Sequence, residues 1–157
     1  MNFRILGLSR VPFEALFAMS DAELAGIGAK RCIADEPHSA PCRISMIDAD
    51  VGEELILASF EHQAAHSPYR ASGPVYVRRD AIETFAADNV VPDCVRRRLL
   101  SVRAYDADGL IADAEVVDGS ALESAIDRFF AMPGIAYLHV HYARRGCYAC
   151  RIDRVPS

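Results

Sequence analysis

Two histidines and two cysteines near the end of the chain are the residues whose types and spacing best suit chemistry. They lie in the segment IAYLHVHYARRGCYACRIDR, residues 135–154. In an extended strand alternate side chains share a face, so His139 and His141 point the same way. The motif RRG then fits a chain reversal, and Cys147 and Cys150 belong to a returning strand. Neutral imidazoles and a thiolate are ligands for zinc.

The register of this hairpin decides which thiol joins the histidines. If Ala143 pairs with Cys147, then Cys147 lies on the histidine face. If Tyr142 pairs with Cys147 instead, then Cys150 lies on that face. Either register brings only one thiol to that face, because positions three apart in a regular strand point in opposite directions. A zinc site with both cysteines would need a turn or bulge. Without metal, a histidine beside a cysteine could activate a thiolate nucleophile, so all four residues are candidate catalytic and metal-binding groups.

A second polar group follows the predicted strand Glu54–Phe60. His62, His66 and Arg70 lie in the segment EHQAAHSPYRASGPVYVRR, which we interpret as a loop followed by a returning strand at Pro74–Arg78. They are candidate ligand-binding residues, with the Arg70 guanidinium suited to a bidentate bond with an anion. The alternative is that the histidines are simply exposed or satisfy the backbone of a long loop.

A predicted hairpin supplies the third group. LLSVRAYDA and LIADAEVVD flank an Asp-Gly pair, which favours a tight turn with two positive φ angles. This turn sets Arg103 opposite Ala114 and Tyr105 opposite Ala112. The small alanines would leave room above Arg103 and Tyr105, which we therefore add as candidate binding residues for a small anionic ligand.

Composition narrows the class of protein. The 157 residues suit one domain, residues 1–157, with an ordinary globular content of 52% hydrophobic and 25% charged residues. The net charge of −5 disfavours binding to nucleic acid or to an anionic membrane. No apolar run reaches the ~20 residues of a membrane span, and the first residues lack a signal-peptide pattern, so we expect a cytoplasmic protein with free thiols.

The predicted elements indicate a single α+β domain with a mostly antiparallel sheet. The most distinct helix covers about residues 120–131, where Ser120 and Glu123 form a predicted capping box before an apolar stripe. This principal C-terminal helix should pack on one face of the sheet. Ser20 and Glu23 form another predicted capping box, and a short helix is predicted from Asp80 to Phe85.

Several blocks of the sequence resemble an uncharacterised bacterial family, domain of unknown function 1203. They are PCRIS, EELILASFEH, SPYRASGPVYVR, LLSVRAYDADG and HVHYARRGCYACR, and the likeness runs from about Phe3 to Arg154. The resemblance implies a cytoplasmic, single-domain bacterial protein. It implies no activity, ligand or catalytic residue.

Two classes of function are consistent with these residues. The first is an enzyme or a small-molecule-binding protein whose pocket combines histidine, cysteine and arginine, with zinc as the candidate cofactor. The second is a non-catalytic interaction module, in which a sheet face with Tyr137, Tyr142 and Tyr148 pairs with another copy to form a homodimer. The sequence contains no GxSxG, GxGxxG, HExxH or EF-hand motif.

Overall fold

Nine strands build the core of the computed structural model, which describes residues 2–156. A six-stranded antiparallel sheet has the order β5-β1-β9-β8-β6-β7, and a three-stranded antiparallel sheet has the order β2-β3-β4. The strands are β1 Phe3–Leu6, β2 Lys30–Ile33, β3 Glu54–Gln63, β4 Ala71–Arg78, β5 Ala86–Asp88, β6 Leu99–Tyr105, β7 Ile111–Asp118, β8 Tyr137–Tyr142 and β9 Tyr148–Arg154.

Helices are short and lie outside the sheets. They are a 3₁₀ helix at Val11–Ala18, α1 at Asp21–Gly26, α2 at Asp93–Arg96, a 3₁₀ turn at Gly119–Ala121 and α3 at Leu122–Ala131. The capping box of Ser20 and Glu23 is confirmed, since each side chain accepts a hydrogen bond from the other's backbone N–H. The predicted helix at Asp80–Phe85 is wrong: the segment is turn and coil, and the Phe85 N–H donates to the Ile44 carbonyl instead of to a carbonyl within the predicted helix.

The start of α3 differs from the prediction. Ser120 does not cap it; the Asp118 carboxylate accepts from the Ser120 N–H at 2.9 Å and caps the preceding 3₁₀ turn. The Glu123 carboxylate, predicted to complete a capping box, instead pairs with the Arg96 guanidinium. The 3₁₀ turn that leads into α3 is therefore capped by the Asp118 carboxylate, and the predicted capping box of Ser120 and Glu123 does not form.

The principal core lies between α3 and one face of the six-stranded sheet. Ile126 and Phe129 of α3 pack in the same buried cluster as Leu138 and Val140 of β8. The α+β class, the antiparallel sheets and the helix on one sheet face are confirmed. No described helix has the length and apolar character that a membrane crossing requires.

The three-stranded sheet has a core of its own. Ile56 of β3 and Val75 and Val77 of β4 pack against Phe13 and Phe17 of the 3₁₀ helix. Strand β4 also contacts β9 of the larger sheet. The smaller sheet thereby lies near the face of the larger sheet that α3 leaves free.

Candidate metal centre

Strand β8 carries His139 and His141 on the face opposite α3. Its partner β9 contains a β-bulge, so that His141 pairs with Tyr148 whereas Val140 pairs with Cys150. The two registers considered for this hairpin therefore both occur, one on each side of the bulge. As a result Tyr148 lies on the histidine face and Cys150 lies with Val140 on the helix face, so the expectation that one thiol would join the histidines is wrong.

His62 reaches the same place from the other sheet. Strand β3 extends to Gln63, beyond its predicted end at Phe60, so His62 is a strand residue and not a loop residue. It occupies a β-bulge, where the register shifts between Glu61 and Gln63. The Gln63 amide donates to the Tyr137 hydroxyl at 3.0 Å, which ties this end of β3 to β8.

The three histidines form a close cluster. The potential ligand atoms of His62, His139 and His141 all lie within 4.8 Å of one another. Each ring has one buried nitrogen without a hydrogen-bond partner, namely Nδ1 of His62, Nδ1 of His139 and Nε2 of His141. Buried polar atoms are nearly always hydrogen-bonded, so three unpartnered nitrogens in one cluster point to a shared ligand.

The tautomer of His141 is set by the turn that follows β8. Its Nδ1 lies 3.0 Å from the carbonyl oxygen of Gly146, which can only accept, so Nδ1 carries the proton and donates. In a neutral ring Nε2 then holds the lone pair. A backbone carbonyl bound to the second nitrogen is the usual arrangement behind a metal-ligating histidine.

Burial keeps the cluster neutral. It lowers the pKa of His139 to about 3 and the pKa of His141 to about 4, and it lowers the pKa of the half-buried His62. The Arg103 guanidinium adds to all three shifts, because its positive charge disfavours protonation of a nearby imidazole. All three rings are thus in the protonation state that binds metal at neutral pH.

Aromatic rings enclose the cluster. Tyr148 stacks on His62 with ring centroids 5.1 Å apart and planes 6° apart. Tyr105, Tyr137 and Tyr148 have ring centroids 5.0, 5.2 and 5.2 Å from that of His139. These contacts hold the imidazoles in place without using their nitrogens.

Two arginines flank His139 on the neighbouring strands. Arg103 of β6 and Arg151 of β9 are its direct cross-strand partners. Arg151 is paired with Asp153 at 2.8 Å and lies over the Tyr137 ring. Arg103 is half-buried and, within residues 2–156, has neither a hydrogen bond nor an ion pair, which leaves its donors available to a ligand.

The cysteines lie outside this cluster. Cys150 is fully buried in the core beneath α3, where burial raises the pKa of its thiol. Cys147 lies at the end of the turn, and its thiol is 3.9 Å from the Arg145 carbonyl oxygen. All five cysteines of the described chain are free thiols.

The remaining candidate residues have separate places. Arg70 is exposed and forms a bidentate ion pair with Glu61 at 3.0 and 3.2 Å, and His66 is exposed in the loop between β3 and β4. Tyr105 is buried against His139, but it pairs with Ile111 and not with Ala112. The hairpin turn explains this change, because only its glycine has a positive φ and a bulge follows.

A tetrahedral metal would need only a small adjustment of the three rings. With Zn–N bonds near 2.0–2.1 Å, the ligand nitrogens are about 3.3 Å apart. His62 can supply most of the movement, because it is half-buried at a bulge, whereas His139 and His141 are buried in the sheet. Three imidazoles would leave a fourth coordination position for water or substrate.

Some neighbours of the cluster could not be recognised from the sequence. One of the two hairpin registers places Arg151 opposite His139, and the other places Tyr148 opposite His141. Only the bulge in β9 brings both residues to the histidine face. The tyrosines proposed for a dimer surface are in fact buried, as Tyr137, Tyr142 and Tyr148 are all less than 10% exposed. In the sequence, the repetition of tyrosine along this hairpin is the feature that indicates aromatic rings around the histidines.

Fold and site together define a class, an α+β protein with a buried three-histidine cluster between two antiparallel sheets. The chain belongs to the family described as protein of unknown function (DUF1203), whose model matches residues 39–154. All three histidines of the cluster lie inside the matched region. No curated protein and no solved structure matches the chain.

Proposed function

We propose that this protein binds one divalent transition metal ion through His62, His139 and His141 and uses it on a small anionic substrate. The carrying observation is that each imidazole has a buried nitrogen without a partner and that the potential ligand atoms of the three residues lie within 4.8 Å of one another. Zinc is the first candidate, because neutral imidazoles in a tetrahedral arrangement suit it well.

The chemistry that fits this site is metal-assisted attack by water. Zinc held by three histidines keeps one position for water and lowers the pKa of that water to about 7. The cluster contains no carboxylate ligand, so the bound metal would keep its full positive charge. Arg103, next to His139, adds a further charge, and together they favour an anionic substrate.

Metal content of the purified protein tests the proposal. We expect about one zinc per chain after dialysis against zinc and removal of excess metal, measured by elemental analysis. His62→Ala and the double variant His139→Ala, His141→Ala should each lose the metal. His66→Ala is the matched control, because His66 is exposed and only four residues from His62.

Two outcomes would contradict the proposal. One is wild-type protein that binds no zinc, cobalt or nickel at micromolar concentration. The other is a His62→Ala variant that keeps the full metal content, since two histidines alone would then account for binding. Circular dichroism of each variant establishes that it is folded before its metal content is compared.

A further inference from the structure

A second feature, a cavity lined by arginines, is formed by different residues from the histidine cluster. Its volume is about 590 Å³, which is in the range of sites for small organic molecules. Five arginines line it: Arg43, Arg97, Arg98, Arg144 and Arg145. None of the three clustered histidines lines this cavity.

The balance of charge in this cavity is positive. Two acidic residues, Glu36 and Asp118, also line it, and the largely buried Asp48 carboxylate, which does not line the cavity, pairs with Arg97 and Arg98. Five arginines against these three carboxylates leave a surplus of two positive charges. In a chain with a net charge of −5, such a local surplus requires an explanation.

Arg43 is the central observation. It is only 2% exposed, and no carboxylate of the described residues pairs with it. Its Nε donates to the Tyr148 carbonyl at 2.7 Å and its Nη1 donates to the Pro41 carbonyl, while Nη2 has no protein partner in residues 2–156. A buried guanidinium without a counter-ion is costly, and burial lowers its pKa. An anion in the cavity would supply the missing charge.

The arginines approach the cavity from three parts of the chain. Arg43 comes from the segment before β3, Arg97 and Arg98 follow α2, and Arg144 and Arg145 form the β8–β9 turn. Arg98 already donates to the Asp48 carboxylate and to the Cys94 and His38 carbonyls, so it contributes charge and not free donors. The other four arginines lie around the cavity on three parts of the chain. Donors from several directions suit a tetrahedral oxyanion better than a single planar carboxylate, which one guanidinium can satisfy.

The other walls are apolar or aromatic. Leu57, Pro74, Tyr76 and Tyr142 line the cavity beside the arginines. The Tyr142 ring is held by the Arg43 and Arg98 guanidinium groups, with carbon-to-centroid distances of 4.9 and 5.1 Å. The cavity can therefore accept an apolar body attached to the anionic group.

We infer that this cavity is a binding site for a small phosphate monoester with an aromatic or apolar body. The dianionic phosphate would occupy the position next to Arg43 and between the two arginine pairs. Its organic part would lie against Tyr76, Pro74 and Leu57. This inference does not depend on the histidine cluster binding a metal.

Calorimetric titration of the full chain with phenyl phosphate tests the inference. The protein is first treated with EDTA, so that a metal at the histidine cluster cannot hold the phosphate, and ionic strength is kept constant with chloride. We expect saturable 1:1 binding, with inorganic phosphate and benzoate each at least tenfold weaker. Benzoate binding as tightly as phenyl phosphate would overturn the assignment to a phosphate, and absence of saturable binding would overturn the site.

Variants locate the binding. Arg144→Ala, Arg145→Ala removes two exposed turn arginines and should weaken phenyl phosphate at least tenfold. Arg43→Gln should weaken it further, and the turn variant keeps the test decisive if Arg43→Gln does not fold. The control Arg4→Ala, Arg128→Ala removes the same charge from exposed ion pairs elsewhere and should leave affinity unchanged. Equal weakening in the control and turn variants would overturn the proposal.

Discussion

The two faces of strand β8 differ in what their buried side chains have as partners. On the helix face Leu138 and Val140 are surrounded by aliphatic and aromatic side chains and need no polar partner. On the opposite face His139 and His141 are as well buried, but each has a ring nitrogen that no protein atom satisfies. The helix face has no polar group left to satisfy, whereas the histidine face has two ring nitrogens available to a ligand.

The largest expected effect is a gain in the free energy of unfolding on metal addition, which should depend on the histidine face and not on the helix face. Under the proposed function zinc binds the folded histidine cluster but not the unfolded chain, which has no preformed site. Free zinc at 1,000 times its Kd should then stabilise the protein by about 4 kcal/mol. Urea unfolding with and without zinc measures this. His139→Ala, His141→Ala should show no gain, and His66→Ala should keep it. A gain retained by the double variant would place the metal elsewhere.

Substitution of adjacent residues on β8 should have opposite consequences. Leu138→Ala removes a fully buried side chain from the α3 core and should destabilise the protein by about 3 kcal/mol. His139→Leu replaces a buried ring with an unsatisfied nitrogen by an apolar group of similar volume. The metal-free variant should therefore stay within about 1 kcal/mol of the wild type, or exceed it.

Chemical denaturation of both variants in EDTA checks this pair. If His139→Leu were as destabilising as Leu138→Ala, the imidazole would be contributing structural interactions comparable to those of a core residue. The metal-binding interpretation of its unpartnered nitrogen would then lose its main support.

Acid should destabilise the metal-free protein through the histidine face. The ordinary pKa of 6.5 applies to the unfolded histidines, whereas in the fold burial lowers the pKa of His139 to about 3 and that of His141 to about 4. Between these values the unfolded chain binds protons that the folded protein excludes, so stability rises with pH and is complete above about 6.5. As pH falls below 6.5, each histidine should cost roughly 1.4 kcal/mol per pH unit.

The free energy of unfolding from pH 7.5 to 5 measures this slope. His139→Leu should remove about half of the loss, because one of the two strongly shifted groups is gone. A slope that is the same in wild type and variant would mean that other groups cause the acid sensitivity.

The sequence was sufficient for features that depend on neighbours along the chain. The alternation of His139 and His141 and the cap at Ser20 are local, and both are observed. The bulge that turns Cys150 away from the histidines was not predictable, because an extra residue in a strand leaves the alternating pattern ambiguous. His62 reaches the cluster only through packing of one sheet on another, which is not encoded in local spacing.

The N-terminal end of α3 is a second place where local spacing in the sequence did not predict the contacts. Ser120 and Glu123 had the right spacing for a capping box, but Asp118 was a stronger competitor for the Ser120 N–H and Arg96 attracted Glu123. Arg43 is a comparable case. One hydrogen bond goes to the near neighbour Pro41, but the other contacts come from the distant Tyr148 carbonyl of β9 and the Tyr142 ring of β8. The residues next to Arg43 in the sequence therefore do not indicate that it is buried.

The smallest expected effect is a difference in thiol reactivity between buried and half-buried cysteines. It bears on the two faces of β8 because Cys150 is buried on the helix face. Cys42, Cys94 and Cys150 are buried, and burial raises the pKa of Cys94 to about 11. Iodoacetamide at pH 8 should therefore label only the half-buried Cys32 and Cys147 in the native protein, and all five thiols after unfolding. Mass spectrometry of labelled peptides measures each site.

Zinc adds a direct test of which groups form the metal centre. Because Cys147 lies outside the histidine cluster, its labelling rate should be unchanged when zinc is bound. Protection of Cys147 by zinc, abolished in His139→Ala, His141→Ala, would show that the turn rearranges to bring sulfur to the metal. The ligand set would then be histidine and cysteine, and the bulge in β9 would not persist in the metal-bound protein.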